Sequence, residues 1–154
     1  MPTLRPTVAD DVPGILAMIA EVFAEYGCVL DAEHEDRHLL DPGRYFRARG
    51  GDFWIVEQEG RILATVALAL HDDAGEIRCL YVHRGLRRQG WGRRLSEMAM
   101  DLARQAGKRR MILWSDTRFV EAHALYRALG FSQHGTRELH DSNNTVEHGF
   151  EIKL

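Results

Sequence analysis

Apolar positions recur along the chain with two different periods, and the switches between them outline the elements. Val12, Ile15, Leu16, Ile19, Val22, Phe23 and Tyr26 follow at helical spacing, one face of an amphipathic helix. Asp10 or Asp11 offers its N-cap, Pro13 is tolerated in its first turn, and Gly27 stops it. Residues 3–7 ahead of it read as a short strand. Residues 32–40 are a polar stretch predicted helical, ended by Asp41-Pro42-Gly43, with a further turn at Tyr45–Arg49 before Gly50-Gly51. The period then changes. Asp52–Gln58 and Arg61–Leu70 are β-rich runs joined at Glu59-Gly60, a short hairpin signal. Asp72-Asp73-Ala74-Gly75 predicts a turn, and Glu76–His83 a third strand of this group. Helical spacing returns over 91–106, with Trp91, Leu95, Met98, Ala99, Leu102 and Ala106 inward and Gly107 as the stop. Arg110–Trp114 reads as a strand and Phe119–Leu129 as a helix ended by Gly130. Phe131–Leu139 and Thr145–Leu154 flank Asp141-Ser142-Asn143-Asn144 as a long hairpin.

The resulting order, β-α-α-β-β-β-α-β-α-β-β, predicts an α+β fold with a mixed sheet. The sheet is mostly antiparallel, with one parallel pair across the strand–helix–strand in the middle. No repeat, low-complexity tract or linker divides the 154 residues, so one domain over 1–154 is expected. The chain is 45% hydrophobic and 28% charged, an ordinary globular composition. No apolar run approaches the roughly 20 residues of a membrane span. Met-Pro-Thr-Leu-Arg at the start lacks the basic-then-apolar pattern of a signal peptide. Cys28 and Cys79 alone make no disulfide framework and read as packing groups. The expectation is a cytoplasmic protein with no membrane partner.

The net charge of −3 argues against a nucleic-acid partner, yet it is unevenly spread. Between Ile77 and Ser96 there are six arginines and no acid, whereas residues 31–41 carry Asp31, Glu33, Glu35, Asp36 and Asp41 against Arg37 alone. The basic stretch, Leu80-Tyr-Val-His-Arg-Gly-Leu-Arg-Arg-Gln-Gly-Trp-Gly92, follows a predicted strand and opens a predicted helix. Free N–H groups and the positive dipole end at a helix start suit a phosphate, and Gly90 and Gly92 let backbone approach it closely. The stretch is neither a Walker loop nor a dinucleotide fingerprint, since it has no Gly-Lys-Ser/Thr and no Gly-x-Gly-x-x-Gly.

With these residues the chain resembles the Gcn5-related N-acetyltransferase (GNAT) family. Arg87-Arg88-Gln89-Gly90-Trp91-Gly92 is similar to that family's pyrophosphate loop, and Leu80-Tyr81-Val82 to the strand end before it. Ala124-Leu125-Tyr126-Arg127-Ala128-Leu129-Gly130-Phe131, about 35 residues on, is similar to its second signature. The resemblance implies a GNAT-like splayed sheet flanked by helices, acetyl-CoA as cosubstrate, no metal, and direct transfer of the acetyl group to a primary amine of a small molecule or peptide. It places the pantetheine against Leu80 and Val82, in the gap between the strand ending at Val82 and the strand ending at Trp114. The pyrophosphate falls on the amides of Arg88 to Gly92. Leu80, Tyr81, Val82, Arg87, Arg88, Gln89, Gly90, Trp91 and Gly92 are thus the expected cofactor-binding residues. A homodimer is a further expectation, since family members often dimerise. The alternative is a non-catalytic acyl-CoA-binding domain of the same fold.

The resemblance implies Tyr126 as the donor of a proton to the departing thiolate. The amine must lose a proton, since an alkylammonium has a pKa of about 10. Glu76, eleven residues before Arg87, resembles the family's glutamate base, with Asp116 as the other candidate. Phe119 stands where many relatives carry an asparagine. The acidic segment 31–41 is positioned to attract a cationic acceptor. Arg44, Arg47 and Arg49 are candidates to pair with a carboxylate on it, and the hairpin residues His140, Asp141, Asn143, Asn144 and His148 to close the pocket. Finally, His34-Glu35-Asp36-Arg37-His38 spells the zinc-peptidase pattern, which on a helix would set His34, Glu35 and His38 on one face. A metallohydrolase is therefore a remote alternative.

Overall fold

The computed structural model describes all residues from 1 to 154. Seven strands form one sheet: β1 (Thr3–Pro6), β2 (Asp52–Gln58), β3 (Arg61–Leu70), β4 (Ala74–Val82), β5 (Arg110–Asp116), β6 (Ser132–Glu138) and β7 (Val146–Lys153). Their spatial order is β1-β2-β3-β4-β5-β7-β6. Only β4 and β5 run parallel, across the predicted strand–helix–strand unit. The four helices are α1 (Val12–Ala24), α2 (Pro42–Arg47), α3 (Trp91–Gln105) and α4 (Val120–Ala128).

β3 is buried along nearly its whole length. It is apolar at consecutive positions because helices cover both its faces, as in the middle of a sandwich of layers. On one face Phe53, Ile55, Ile62 and Ala67 meet Ile15, Ile19 and Phe46 of α1 and α2. On the other Val66, Leu68 and Ile77 meet Leu95 and Ala99 of α3, with Tyr126 of α4 in the same cluster. No helix is long and apolar enough to cross a membrane.

The differences from expectation have local causes. Residues 32–36 are turns, followed by a 3-10 segment over Arg37–Leu40, because this polar stretch has only Leu39 to bury. The α-helix lies beyond, with Pro42 in its first turn. β4 begins two residues early, at Ala74. Gly75 is a strand residue rather than a turn glycine, since a Cβ there would lie 2.7 Å from Ala103 of α3 and 2.8 Å from the Met111 sulfur. Asp11 does precede α1, but makes no side-chain cap. Its carboxylate instead accepts from Arg5 through both oxygens at 2.8 Å, and from the Val8 amide at 2.8 Å.

Candidate active site

β4 and β5 pair only where Ala74, Gly75 and Glu76 meet Arg110, Met111 and Ile112. Beyond that they part, while β4 stays paired with β3 as far as Val82. A bulge accompanies the parting. Opposite Ala67 and Thr65, β4 advances from Arg78 to Tyr81, one residue more than β3. Cys79 takes up the extra residue in the left-handed region at φ 51°. The bulge resets the faces: Ile77, Leu80 and Val82 pack on the α3 side, Cys79 and Tyr81 on the α1 side. The His83 amide donates to Leu63 of β3 at 2.8 Å. By strand alternation the peptide groups of Val82 and Leu80 therefore face the gap.

One half of the gap lies at the start of α3. Arg88 and Gly90 are both left-handed, at φ 62° and 81°, and curl the loop over the first turn of the helix. No side chain caps that turn, so its N–H groups stay open to a ligand. A Cβ on Gly92 would stand 3.0 Å from Leu125 of α4, so glycine there permits the close approach of the two helices. Leu80, Val82, Arg88, Gly90 and Gly92 line a cavity of about 550 Å³ here, with Trp91 and Arg87 at its wall. Trp91 is buried in the α3 cluster under the Arg94 guanidinium. Arg87 is tied down: its Nε donates to the Val82 carbonyl at 2.9 Å, and its terminal nitrogens hold Glu25, just past the end of α1, at 2.7 Å each. Gln89 is exposed and does not line the cavity.

The other half is a cavity of about 410 Å³ between β4, β5 and the β6–β7 turn. Leu80, Tyr81, Phe119 and Ala122 line both cavities, so the two form one crevice across the sheet. Tyr126 reaches it from α4, buried among Phe131 and Phe150. Its hydroxyl has no protein partner. His148 Nδ1 is the one sealed side-chain polar atom left without a partner, so the Tyr126 hydroxyl opens to the crevice. Burial pushes its phenol above the ordinary tyrosine value and keeps it protonated. Glu76 lines the same cavity, and its Oε1 is held by His71 Nε2 at 2.8 Å. Asp116 also lines it, but accepts from the Arg118 amide at 2.9 Å and faces the Arg118 guanidinium. Phe119 stacks edge-on against Tyr26 and Tyr81, an apolar wall at the junction. Burial pushes the Cys79 thiol up to about 12, which keeps it from serving as a nucleophile.

Some of the residues expected around the acceptor line this cavity and others do not. Glu35 and Asp36 of the acidic segment line the cavity, as do Asp141 and Asn143 of the hairpin. His140 and His148 do not; His148 packs on His123. Arg47 pairs with Asp52 and Arg49 stacks on Tyr45, and neither they nor Arg44 line it. The zinc-peptidase pattern loses its basis because its helix does not form. His34 binds Asp31 at the surface, and Glu35 accepts from Ser142. His38 sits against Tyr45 and Phe46, its pKa lowered to about 4 by burial. Arg78, which sequence reasoning counted only among six basic residues, enters the cavity from β4.

Residues 16–131 match the Acetyltransferase (GNAT) family. An uncharacterized N-acetyltransferase of Escherichia coli, YjgM, is 32% identical over 84% of this chain and 81% of its own. A mycothiol acetyltransferase of Beutenbergia cavernae is 37% identical over 51% of this chain and 28% of its own. An acetyltransferase of GNAT family from Staphylococcus aureus superposes with a TM-score of 0.86 at 15% identity, over 100% of this chain and 99% of that one.

Proposed function

The chain belongs to the GNAT acetyltransferase family, and on that premise we propose that it is a single-domain, cytoplasmic N-acetyltransferase. It moves the acetyl group of acetyl-CoA directly to a primary amine of a small molecule or peptide. The observation that carries this reading is the crevice itself. An uncapped helix start with glycines lies at one end, and a protonated tyrosine and a glutamate at the other, joined across a gap in the sheet. Acetyl-CoA, the family's cosubstrate, supplies the activated acyl group. Leu80 and Val82 offer peptide groups for an amide-bearing arm. The amides from Arg88 to Gly92 offer donors for a pyrophosphate. Glu76 takes a proton from the incoming ammonium, and Tyr126 donates to the sulfur as negative charge develops there. No acyl-enzyme is needed, in keeping with a protonated Cys79 thiol.

The test is acetyl-CoA binding followed by CoA release. Acetyl-CoA raises the melting temperature of the wild type, and Gly90→Glu, which places a carboxylate at the phosphate position, abolishes the rise. CoA appears when amine pools are added. No shift with any acyl-CoA removes the reading. A shift without CoA release across a broad amine panel makes the chain a non-catalytic acyl-CoA-binding domain.

A further inference from the structure

We propose that the acceptor is a carboxylate-bearing amine of the amino-acid type and that Arg78 binds its carboxylate, a deepening that rests on the acetyltransferase reading above. Arg78 is half-buried on β4, lines the acceptor cavity, and lies with its guanidinium carbon 5.5 Å from the centre of the Phe46 ring. It makes no ion pair. The neighbours on its α2 side are Tyr45, Phe46 and His38, none an anion, and the nearest acid is Glu76 two residues away on its own strand, held by His71 at 2.8 Å.

The carboxylates of the same cavity are in the opposite state. Glu35 accepts from the Ser142 amide and hydroxyl at 2.9 Å each, Asp36 from the Asp31 amide at 2.9 Å, and Glu147 from Arg137 at 2.7 Å. Asp116 and Asp141 are held by Arg118 and Thr145. Each of these acids has a donor within the protein, whereas Arg78 has no ion pair. A partly desolvated guanidinium that has only the Tyr45 hydroxyl and the Phe46 ring beside it, and no ion pair, has donors to spare, and its planar fork matches a carboxylate. The cavity therefore presents a guanidinium with no ion pair, which the carboxylate of a ligand completes.

Placement gives the rest of the ligand. Glu76 and Arg78 are two residues apart, before the bulge at Cys79, so they share one face at a separation of about 6.7 Å along the strand. An acid that accepts a proton from an ammonium and a cation that holds a carboxylate thus stand side by side. That is the pattern of an amino-acid acceptor rather than a simple diamine.

The experiment measures binding to the full chain saturated with CoA, by calorimetry. Its ligands are matched pairs: N-acetyl amino acids and the N-acetyl amines that lack the carboxyl group. At least one acid is expected to bind about 30-fold more tightly than its partner, in line with a desolvated charge pair. Arg78→Met erases that preference and Arg78→Lys keeps part of it. Melting curves and acetyl-CoA affinity establish that each variant is folded, and Arg78→Gln replaces Met if that variant fails. Equal binding within pairs, binding of neither member, or a preference that survives Arg78→Met overturns the proposal. Loss of acetyl-CoA binding in the wild type defeats the underlying reading instead. Turnover of carboxyl-free amines alone leaves that reading intact and removes only the role of Arg78.

Discussion

Arg87 donates from Nε to the Val82 carbonyl at 2.9 Å, where β4 ends and the loop toward α3 begins. That carbonyl faces the gap, so Arg87 satisfies a group the splay leaves unpaired. The two bonds from its terminal nitrogens to Glu25 fasten the end of α1 to the same point. An arginine of the predicted phosphate loop is therefore a strut as well as a charge. Arg87→Gln removes the strut and one positive charge beside the pyrophosphate site. Acetyl-CoA affinity is expected to fall roughly tenfold, more at low salt than at high, as screening requires. Calorimetry at two ionic strengths checks this, and an unchanged affinity at both removes Arg87 from cofactor binding.

Tyr126 carries its hydroxyl into the crevice with no partner in the protein, so removing that oxygen costs the fold little. Tyr126→Phe keeps the ring contacts with Phe131 and Phe150. The expected result is a kcat lowered about 100-fold, the scale of a lost general acid, with acetyl-CoA affinity and melting temperature nearly unchanged. Because burial raises the pKa of the phenol, the group stays protonated through neutral pH, and the wild-type rate shows no fall from Tyr126 ionisation below about pH 10. Steady-state rates of CoA release check both statements.

Glu76 is the base in this reading, and its signature lies in the pH profile rather than in a single rate. Glu76→Gln lowers kcat/KM at pH 7 by about 100-fold. The deficit shrinks as pH rises toward the amine's own pKa of about 10, because free amine then no longer needs an enzymatic base. A deficit that stays constant from about pH 6 to about pH 10 assigns Glu76 a structural role beside His71.

The order of elements along the chain, the parallel pair and both cavity-forming motifs were readable because each rests on local pattern: β-rich runs, a glycine-rich helix start, a tyrosine at fixed spacing before Gly130-Phe131. What was not readable depends on tertiary approach. Gly75 looks like a turn glycine until Ala103 of α3 presses on it. His34 and His38 have the spacing of a helical pair, but too little apolar surface lies under residues 32–36 to hold a helix there. The candidate arginines for a carboxylate were sought at 44–49, adjacent in sequence to the acidic segment. Arg78 serves that position better because a one-residue bulge at Cys79 separates its face from that of Leu80, and no periodicity announces a bulge. Arg87 read as a free charge, since its partner Glu25 lies 62 residues away in sequence.

Asp11 offers a test of the fold apart from the site. Its carboxylate is only 9% exposed and is gripped by Arg5. That bond, with those from the Val8 amide and Thr7, lowers its pKa from 3.8 to about 2. A depressed carboxylate pKa means the unfolded chain binds the proton more readily. The stabilisation is therefore present in full above the unfolded value and is lost as pH falls toward the folded one. The shift corresponds to about 2 kcal/mol at neutral pH. Asp11→Asn is expected to lower the melting temperature at pH 7 by roughly 4–8 °C for a chain of this size. The difference narrows below about pH 4 and closes only below about pH 2, since at the folded-state pKa of about 2 half of the wild-type carboxylates are still ionised. Thermal unfolding of both proteins across that range measures it, and a gap independent of pH would assign the loss to packing at the β1–α1 junction rather than to the charge.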